Sequence, residues 1–466
     1  MSGGLGPAFY GISEALSKKV DLLVVIPKAH ARFKSDGLEL LGLNHLELSQ
    51  EIIEEEVLAF EKELSFTPNL SYPVEYLNVE LNPYQSDKTT LRKQQANQNR
   101  LDISEFLPKK KLVRRKRYGL LTDDPELYGP SIMQKVALFT ELVSLMAHKW
   151  EFDLIHAHDW VTFPAAVKLK EITGKPLLTH IHSLETDRSG YHARNKVYEI
   201  ELKAMNASDV VFPVSEYTRT QIQTHYSVLS QTVPIPNGVE NNMQVSDLPS
   251  QISQTNPEPT ANERSPIEQQ PPASEDGSKG VARIFKELPK GKVVTFLGRL
   301  TYQKNPHTFL KTAEILTKRM LDVHFVIAGS GELLRPLIQE AKSLGIIKNI
   351  TFTGYISRAQ VKELISISDA FFLPSVSEPF GLSALEAVQN GLPVVISRQS
   401  GVGQYLSGTL KADYWDAPRF AEYLFGLLSY PAVRRDTVQI NQSQITNLDW
   451  DKAADLILEN YEKLLQ

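Results

Sequence analysis

Apolar and polar positions fall into two blocks of strand-like and helix-like runs, separated by a long polar stretch. In the first block, LLVVI (Leu22 to Ile26) is a short β-branched run suited to a sheet. From Ser131 to Trp150, Ile132, Val136, Leu138, Phe139, Leu142, Leu145 and Met146 recur at helical spacing. There follow a strand ending in DLIHAHD, a helix over about 163–173, a strand LLTHIH, a helix over about 197–206 and a strand in DVVFPVS. This order predicts a mostly parallel sheet covered on both faces.

The pattern restarts in the second block. KVVTFLG, DVHFVIAG, NITFTG, AFFLPS and PVVIS read as strands, with helices over 305–319, 332–344, 358–368 and 381–390 between them. Short connections of this kind make a second doubly wound domain. The tail, 450–464, carries Ala453, Ile457, Leu458 and Tyr461 on one stripe and reads as a packed helix. The expected fold class is therefore α/β, two Rossmann-like domains facing a cleft, where ligand sites tend to lie. The expected division is 1–245 with a polar insertion at about 84–125, a linker or insertion at 246–280 without the apolar residues to order it, 281–440, and a terminal helix 441–466 packing across the domains.

Composition narrows the function classes. The chain has 466 residues, a formal net charge of -5 and no cysteine. Disulfides and thiolate chemistry are excluded, and the charge gives no global case for nucleic acid. The basic run Lys109 to Arg117 suits an anionic surface, though the plainer reading is a solvated insertion or irregular lobe. No run of about 18 apolar residues and no signal-like start is present, so a cytoplasmic protein is expected.

Candidate chemistry lies at the predicted strand ends. Gly3, Gly4 and Gly6 precede a helix from about Pro7, whose N-terminal N–H groups suit a diphosphate. His156, His158, Asp159 and Trp160 close one strand, suiting sugar hydrogen bonding or ordering of the site. His156 and His158 are assigned to opposite strand faces, which argues against a shared metal. His180 and His182 share a face on the next strand, with His182 nearer the cleft. Arg299 and Lys304 follow the first strand of the second block, where two cations can neutralise a leaving diphosphate. In SVSEPFGLSALEAVQNG, Glu378 precedes Pro379, and Gly381 and Leu382 open a helix that carries Glu386. The two carboxylates can engage different hydroxyls of one extended ligand, with the helix N–H groups meeting its phosphates.

The order S-G-G-L-G, H-A-H-D-W, T-H-I-H-S, G-R-L-x-x-x-K and E-P-F-G-L-x-x-L-E-A resembles the retaining glycosyltransferases with two Rossmann-like domains, the GT-B type, especially glycogen and starch synthases and their relatives. The resemblance covers most of the chain outside 84–125 and 246–280. It implies a nucleotide-sugar donor, UDP-glucose or ADP-glucose, held mainly by the second domain, and a glycan or other hydroxyl acceptor. Glu378 would lie by the donor hexose and Glu386 on the ribose. Arg299 and Lys304 would hold the diphosphate with the backbone around Gly4, and the helix opening at Gly381 and Leu382 would assist. His182 would stand beside the reacting sugar, with Asp159 shaping the pocket. No cofactor or metal is implied.

The resemblance also implies a strand before Ser2. The intact motif order favours a start upstream of Met1 over a truncated, impaired protein. The rival readings are an inactive nucleotide-sugar-binding scaffold and a nucleotide-sugar epimerase on the same architecture. A phosphorylase would need a lysine-bound pyridoxal site that nothing in the chain resembles.

Overall fold

A computed structural model of the protein describes residues 5–29, 33–35, 37–43, 132–239 and 291–466. Gly4, the expected insertion at 84–125 with its Lys109 to Arg117 run, and the segment 246–280 lie outside the described residues. The N-terminal half runs α1 (Leu5–Ser17), β1 (Leu22–Ile26), β2 (Phe33–Ser35), β3 (Leu38–Gly42), α2 (Ile132–Met146), β4 (Ile155–His158), α3 (Phe163–Thr173) and β5 (Leu177–Ile181). It continues through α4 (Glu185–Ser189), α5 (Lys196–Ala207), β6 (Val210–Pro213), α6 (Glu216–His225) and β7 (Gln231–Thr232).

Strands β4, β5, β6 and β7 form a parallel sheet in that order, and β5 and β6 are buried along their whole length. Strand β1 does not join it. It pairs in parallel with β3 in a separate three-stranded sheet, whose third member, β2, is antiparallel. The expected single sheet is thus two, and apolar β1 lies at an edge with Leu23 exposed.

The C-terminal half runs β8 (Lys292–Leu297), α7 (Pro306–Thr317), β9 (Val323–Ala328), α8 (Leu334–Ser343), β10 (Ile350–Gly354), α9 (Arg358–Ile367) and β11 (Ala370–Leu373). Then come α10 (Leu382–Gln389), β12 (Val394–Ser397), β13 (Leu410–Ala412), α11 (Ala417–Ser429), α12 (Pro431–Ile445) and α13 (Trp450–Leu465). The six strands are all parallel in the order β10-β9-β8-β11-β12-β13, so the winding reverses between β8 and β11. Ligands of such sheets bind outside the strand ends at that reversal. Phe309 contacts Phe296, Phe325 and Phe372 there and seals α7 onto the sheet.

Strand β13 and helices α6, α11 and α12 are additions to the expected elements. β13 has three residues, and α12 buries only Asn441 and Ile445, so neither carries a strong apolar period. The expected boundary between 440 and 441 falls inside α12. Asn441 donates to Thr409 Oγ1, and Ile445 belongs to the C-terminal core, so the chain leaves this domain only after Ile445.

It then returns to the other domain. Ala453, Ala454, Ile457 and Tyr461 of α13 pack with Ile12, Ala15 and Leu16 of α1 and with Leu178, Val210 and Phe212 of the N-terminal sheet. Gly11 makes the approach possible: a Cβ there would stand 2.6 Å from the Trp450 indole nitrogen. Among the described residues, no helix is long and apolar enough to cross a membrane.

Candidate functional site

The two sets of sequence-selected residues sit at the C-terminal edges of β4 and β5 in one domain and of β8 and β11 in the other. Asp159 follows β4 directly and adopts a φ of 59°, a left-handed conformation that Asp tolerates better than most residues. That turn aims its carboxylate at the end of β5, where Oδ1 accepts from the His182 N–H at 2.8 Å and the Ser183 N–H at 3.4 Å. Burial pushes the Asp159 carboxyl up to about 6, against the pull of Arg188 and those two N–H groups. Asp159 therefore fastens the backbone that carries His182.

His182 is buried enough that its imidazole is held down to about 3, so it is neutral at pH 7. Its Nε2 meets His158 Nδ1 at 3.0 Å. The expectation that His156 and His158 point to opposite faces does not hold: their ring centroids are 4.4 Å apart. Side chains alternate along a strand with a period of two, so positions i and i+2 share a face. His158 and His180 are direct partners in the β4–β5 register, and the four rings make one block on a single face. The argument against a shared metal falls with that correction.

In the C-terminal domain, Lys304 Nζ donates to Glu378 Oε2 at 2.5 Å, and Ser375 Oγ donates to the same oxygen at 3.0 Å. Lys304 ends a short turn after β8, and Glu378 follows β11, so the pair spans the winding reversal. Asn305 holds the turn in place with a φ of 52° while its side-chain amide donates to the Pro374 and Tyr414 carbonyls. Gly381 caps α10 with a φ of 110°, where a Cβ would press on Val402 and Glu378. Leu382 is the first residue of α10, and Glu386 lies half-buried in its second turn. Arg299 is exposed in the loop after β8. The structure thus joins Lys304 to Glu378 and Asp159 to His182, while Arg299 and Glu386 stand on flanking elements. Gly4 lies outside the described residues.

Residues not singled out from the sequence lock the two domains together beside this pair. Ser377 Oγ donates to Asp187 Oδ1 at 2.5 Å and accepts from Tyr217 OH at 2.9 Å. Ser215 Oγ and Thr218 Oγ1 both donate to the Pro379 carbonyl. The loop S-E-P carrying Glu378 is therefore gripped from the N-terminal domain on both sides. Behind Asp187, Arg188 is clamped by Glu185 and Glu201 and also donates to the Ser183 carbonyl. Burial raises the Glu201 carboxyl to about 7. One signal was readable: Glu201 stands on the same stripe as Tyr198, Ala204 and Met205, a charge on a helix face that is otherwise apolar.

The comparisons with known proteins follow the same division. The model of the group 1 glycosyl transferases matches residues 282–442, and that of glycosyltransferase family 4 matches residues 109–242. An uncharacterized glycosyltransferase of Methanocaldococcus jannaschii is 30% identical over 253 residues, 54% of this chain; the match spans 59% of the archaeal protein. The glycogen synthase of Mycobacterium tuberculosis is 25% identical over 324 residues, 67% of this chain and 69% of its own. Among solved structures, a trehalose-6-phosphate synthase superposes over 99% of this chain and 95% of its own, with a TM-score of 0.62 at 13% identity. Two glycosyltransferase domain models in sequence order, on a pair of parallel-sheet domains that share this fold, make the chain a member of the GT-B glycosyltransferases.

Proposed function

We propose that the protein transfers a hexose, glucose by preference, from a nucleotide-diphosphate sugar to a hydroxyl acceptor with retention at the anomeric carbon. The observation that carries this reading is the Lys304–Glu378 pair at the sheet reversal, tied through Ser377 and Asp187 to the loop that follows His182. A cation, a carboxylate and a neutral imidazole then face one ligand from two domains.

Breaking the glycosidic bond leaves positive charge on the sugar and negative charge on the diphosphate. Lys304 and Arg299 stabilise the second, and their effect is larger where closure excludes water. Glu378 takes sugar hydroxyls and Glu386 the ribose, while the N–H groups opening α10 at Gly381 and Leu382 face the phosphates. Neutral His182 offers its ring as a hydrogen-bond partner to the sugar without placing a second positive charge there. Retention requires attack from the side the diphosphate leaves, so a departing phosphate oxygen accepts the acceptor's proton. No side-chain base is needed, and neither metal nor cofactor enters the scheme. A cytoplasmic location suits a cysteine-free enzyme that uses a soluble activated sugar.

The relatives' names span a glucan synthase and a sugar-phosphate synthase, so the acceptor is tested directly. UDP-glucose and ADP-glucose are each incubated with the full chain, with a glucan primer, a hexose phosphate or neither, and released nucleotide and product are measured. Acceptor-dependent release with an α-linked product supports the reading. Tight nucleotide binding without release from any donor would favour a scaffold.

A further inference from the structure

The covered face of β4 and β5 carries a block of histidines that sugar transfer leaves largely unused. His156, His158 and His180 offer ring nitrogens that all lie within 4.8 Å of one another. His180 is fully buried, yet neither of its nitrogens has a hydrogen-bond partner among the described residues, and His156 Nε2 is also unpartnered. Buried polar atoms without partners are costly, and each calls for an ion or a water. Phe212 meets both His156 and His180 edge-on, and Phe9 of α1 does the same to His158, so the surroundings are apolar.

We propose that His156, His158 and His180 bind a divalent transition-metal ion, Zn²⁺ by preference, beneath α1 and α13. Imidazole nitrogens are ligands of choice for zinc, copper and nickel, whereas magnesium and calcium take oxygen. Three histidines leave the fourth tetrahedral position to water. Ligand atoms about 2.1 Å from zinc stand about 3.4 Å apart. The rings are stacked in this structure, His156 at 11° and His158 at 20° to His180, so binding turns them until their in-plane lone pairs converge as well as drawing the nitrogens together.

The outer partners suit this arrangement. His156 Nδ1 lies 2.5 Å from Tyr461 OH, and His158 Nδ1 lies 3.0 Å from His182 Nε2. With metal on the Nε2 atoms, each Nδ1 keeps its proton and donates, to the Tyr461 oxygen and to His182 Nε2. His182 is then left with its proton on Nδ1. An ion there would fix the tautomer of the histidine nearest the cleft and fasten the terminal helix to the sheet. The site rests on these contacts and not on the donor reading.

The test uses the full chain after chelator treatment and exhaustive dialysis. Co²⁺ is titrated in and its visible ligand-field bands recorded, then Zn²⁺ is added in competition. The expected result is a single ion per chain with the intense bands of tetrahedral Co²⁺, bleached by Zn²⁺, and a higher melting temperature in excess Zn²⁺. His180→Phe keeps the buried volume and should abolish these bands. If that variant fails to fold, His156→Gln serves, with at least a tenfold weaker Co²⁺ affinity expected. Absence of the bands from the parent chain overturns the proposal. So do bands that persist in the folded variant, or a Zn²⁺-soaked crystal with only water among the three rings.

Discussion

Asp159 shows how one residue sets both geometry and pH dependence. Its left-handed φ admits Asn with little strain but penalises Ala, by about 1 kcal/mol or more. Its carboxyl rises from 3.8 to about 6 on folding, so the folded state favours the protonated form. That contribution is fully present below pH 3.8 and is lost as pH rises through about 6, to the extent of about 3 kcal/mol. Glu201, raised from 4.5 to about 7, acts in the same direction one window higher. Asp159→Asn removes the first window. The stability of the parent relative to this variant, from denaturant unfolding at pH 4, 5, 6 and 7, should fall with pH; a constant difference would sink the assignment. The two cations separate in a similar way. Arg299→Ala, at an exposed position, should cut turnover tenfold or more while costing less stability than the change at partly buried Lys304. Lys304→Ala should cost both, because it leaves the buried Glu378 carboxylate without its ion-pair partner, a loss of about 3 kcal/mol. Steady-state rates beside urea midpoints distinguish the two patterns.

At the scale of elements, the contact between α1 and α13 depends on the absence of a side chain at Gly11. A methyl group there drives into the Trp450 ring, and overpacking of this kind costs about 1–3 kcal/mol. Gly11→Ala should therefore lower the melting temperature and speed proteolysis within α13 while leaving cleavage of α7 and α10 unchanged. Uniform sensitisation of the whole chain would show that the helix pair is no separate unit. The surface ion pairs Lys18–Asp451 and Lys19–Asp455 flank the same contact but are exposed and contribute little.

At the scale of the whole molecule, the domains meet at the loop that bears Glu378. Ser377 bonds Asp187 and Tyr217, Pro379 accepts from Ser215 and Thr218, and a Cβ on Gly401 would strike the Ser215 hydroxyl. Loosening this seam should hinder closure more than it disturbs either core. Ser377→Ala is expected to lower kcat several-fold and to widen the small-angle scattering envelope of the unliganded protein, with a stability loss of about 1–3 kcal/mol from the unpaired Asp187 carboxylate. A parental rate together with a parental envelope would show that the seam does not govern closure.

Much of this was legible in the chain itself. Short continuous apolar runs and period-3.6 patterning located β1, β4 to β6, β8 to β12 and most of the helices between them, because strands buried on both faces and amphipathic helices leave strong local signals. The strand-end positions of Asp159, His182, Lys304 and Glu378 followed from the same runs. Helix α12 escaped because it presents little apolar surface, and β13 because three residues carry no period. The rest is long-range. The pairing of Lys304 with Glu378, the grip of Ser215 on Pro379, the return of α13 onto α1 and the gathering of four histidines on one face each join residues far apart in sequence. Local patterning carries no record of which strand edges become neighbours, so the tertiary structure alone decided them.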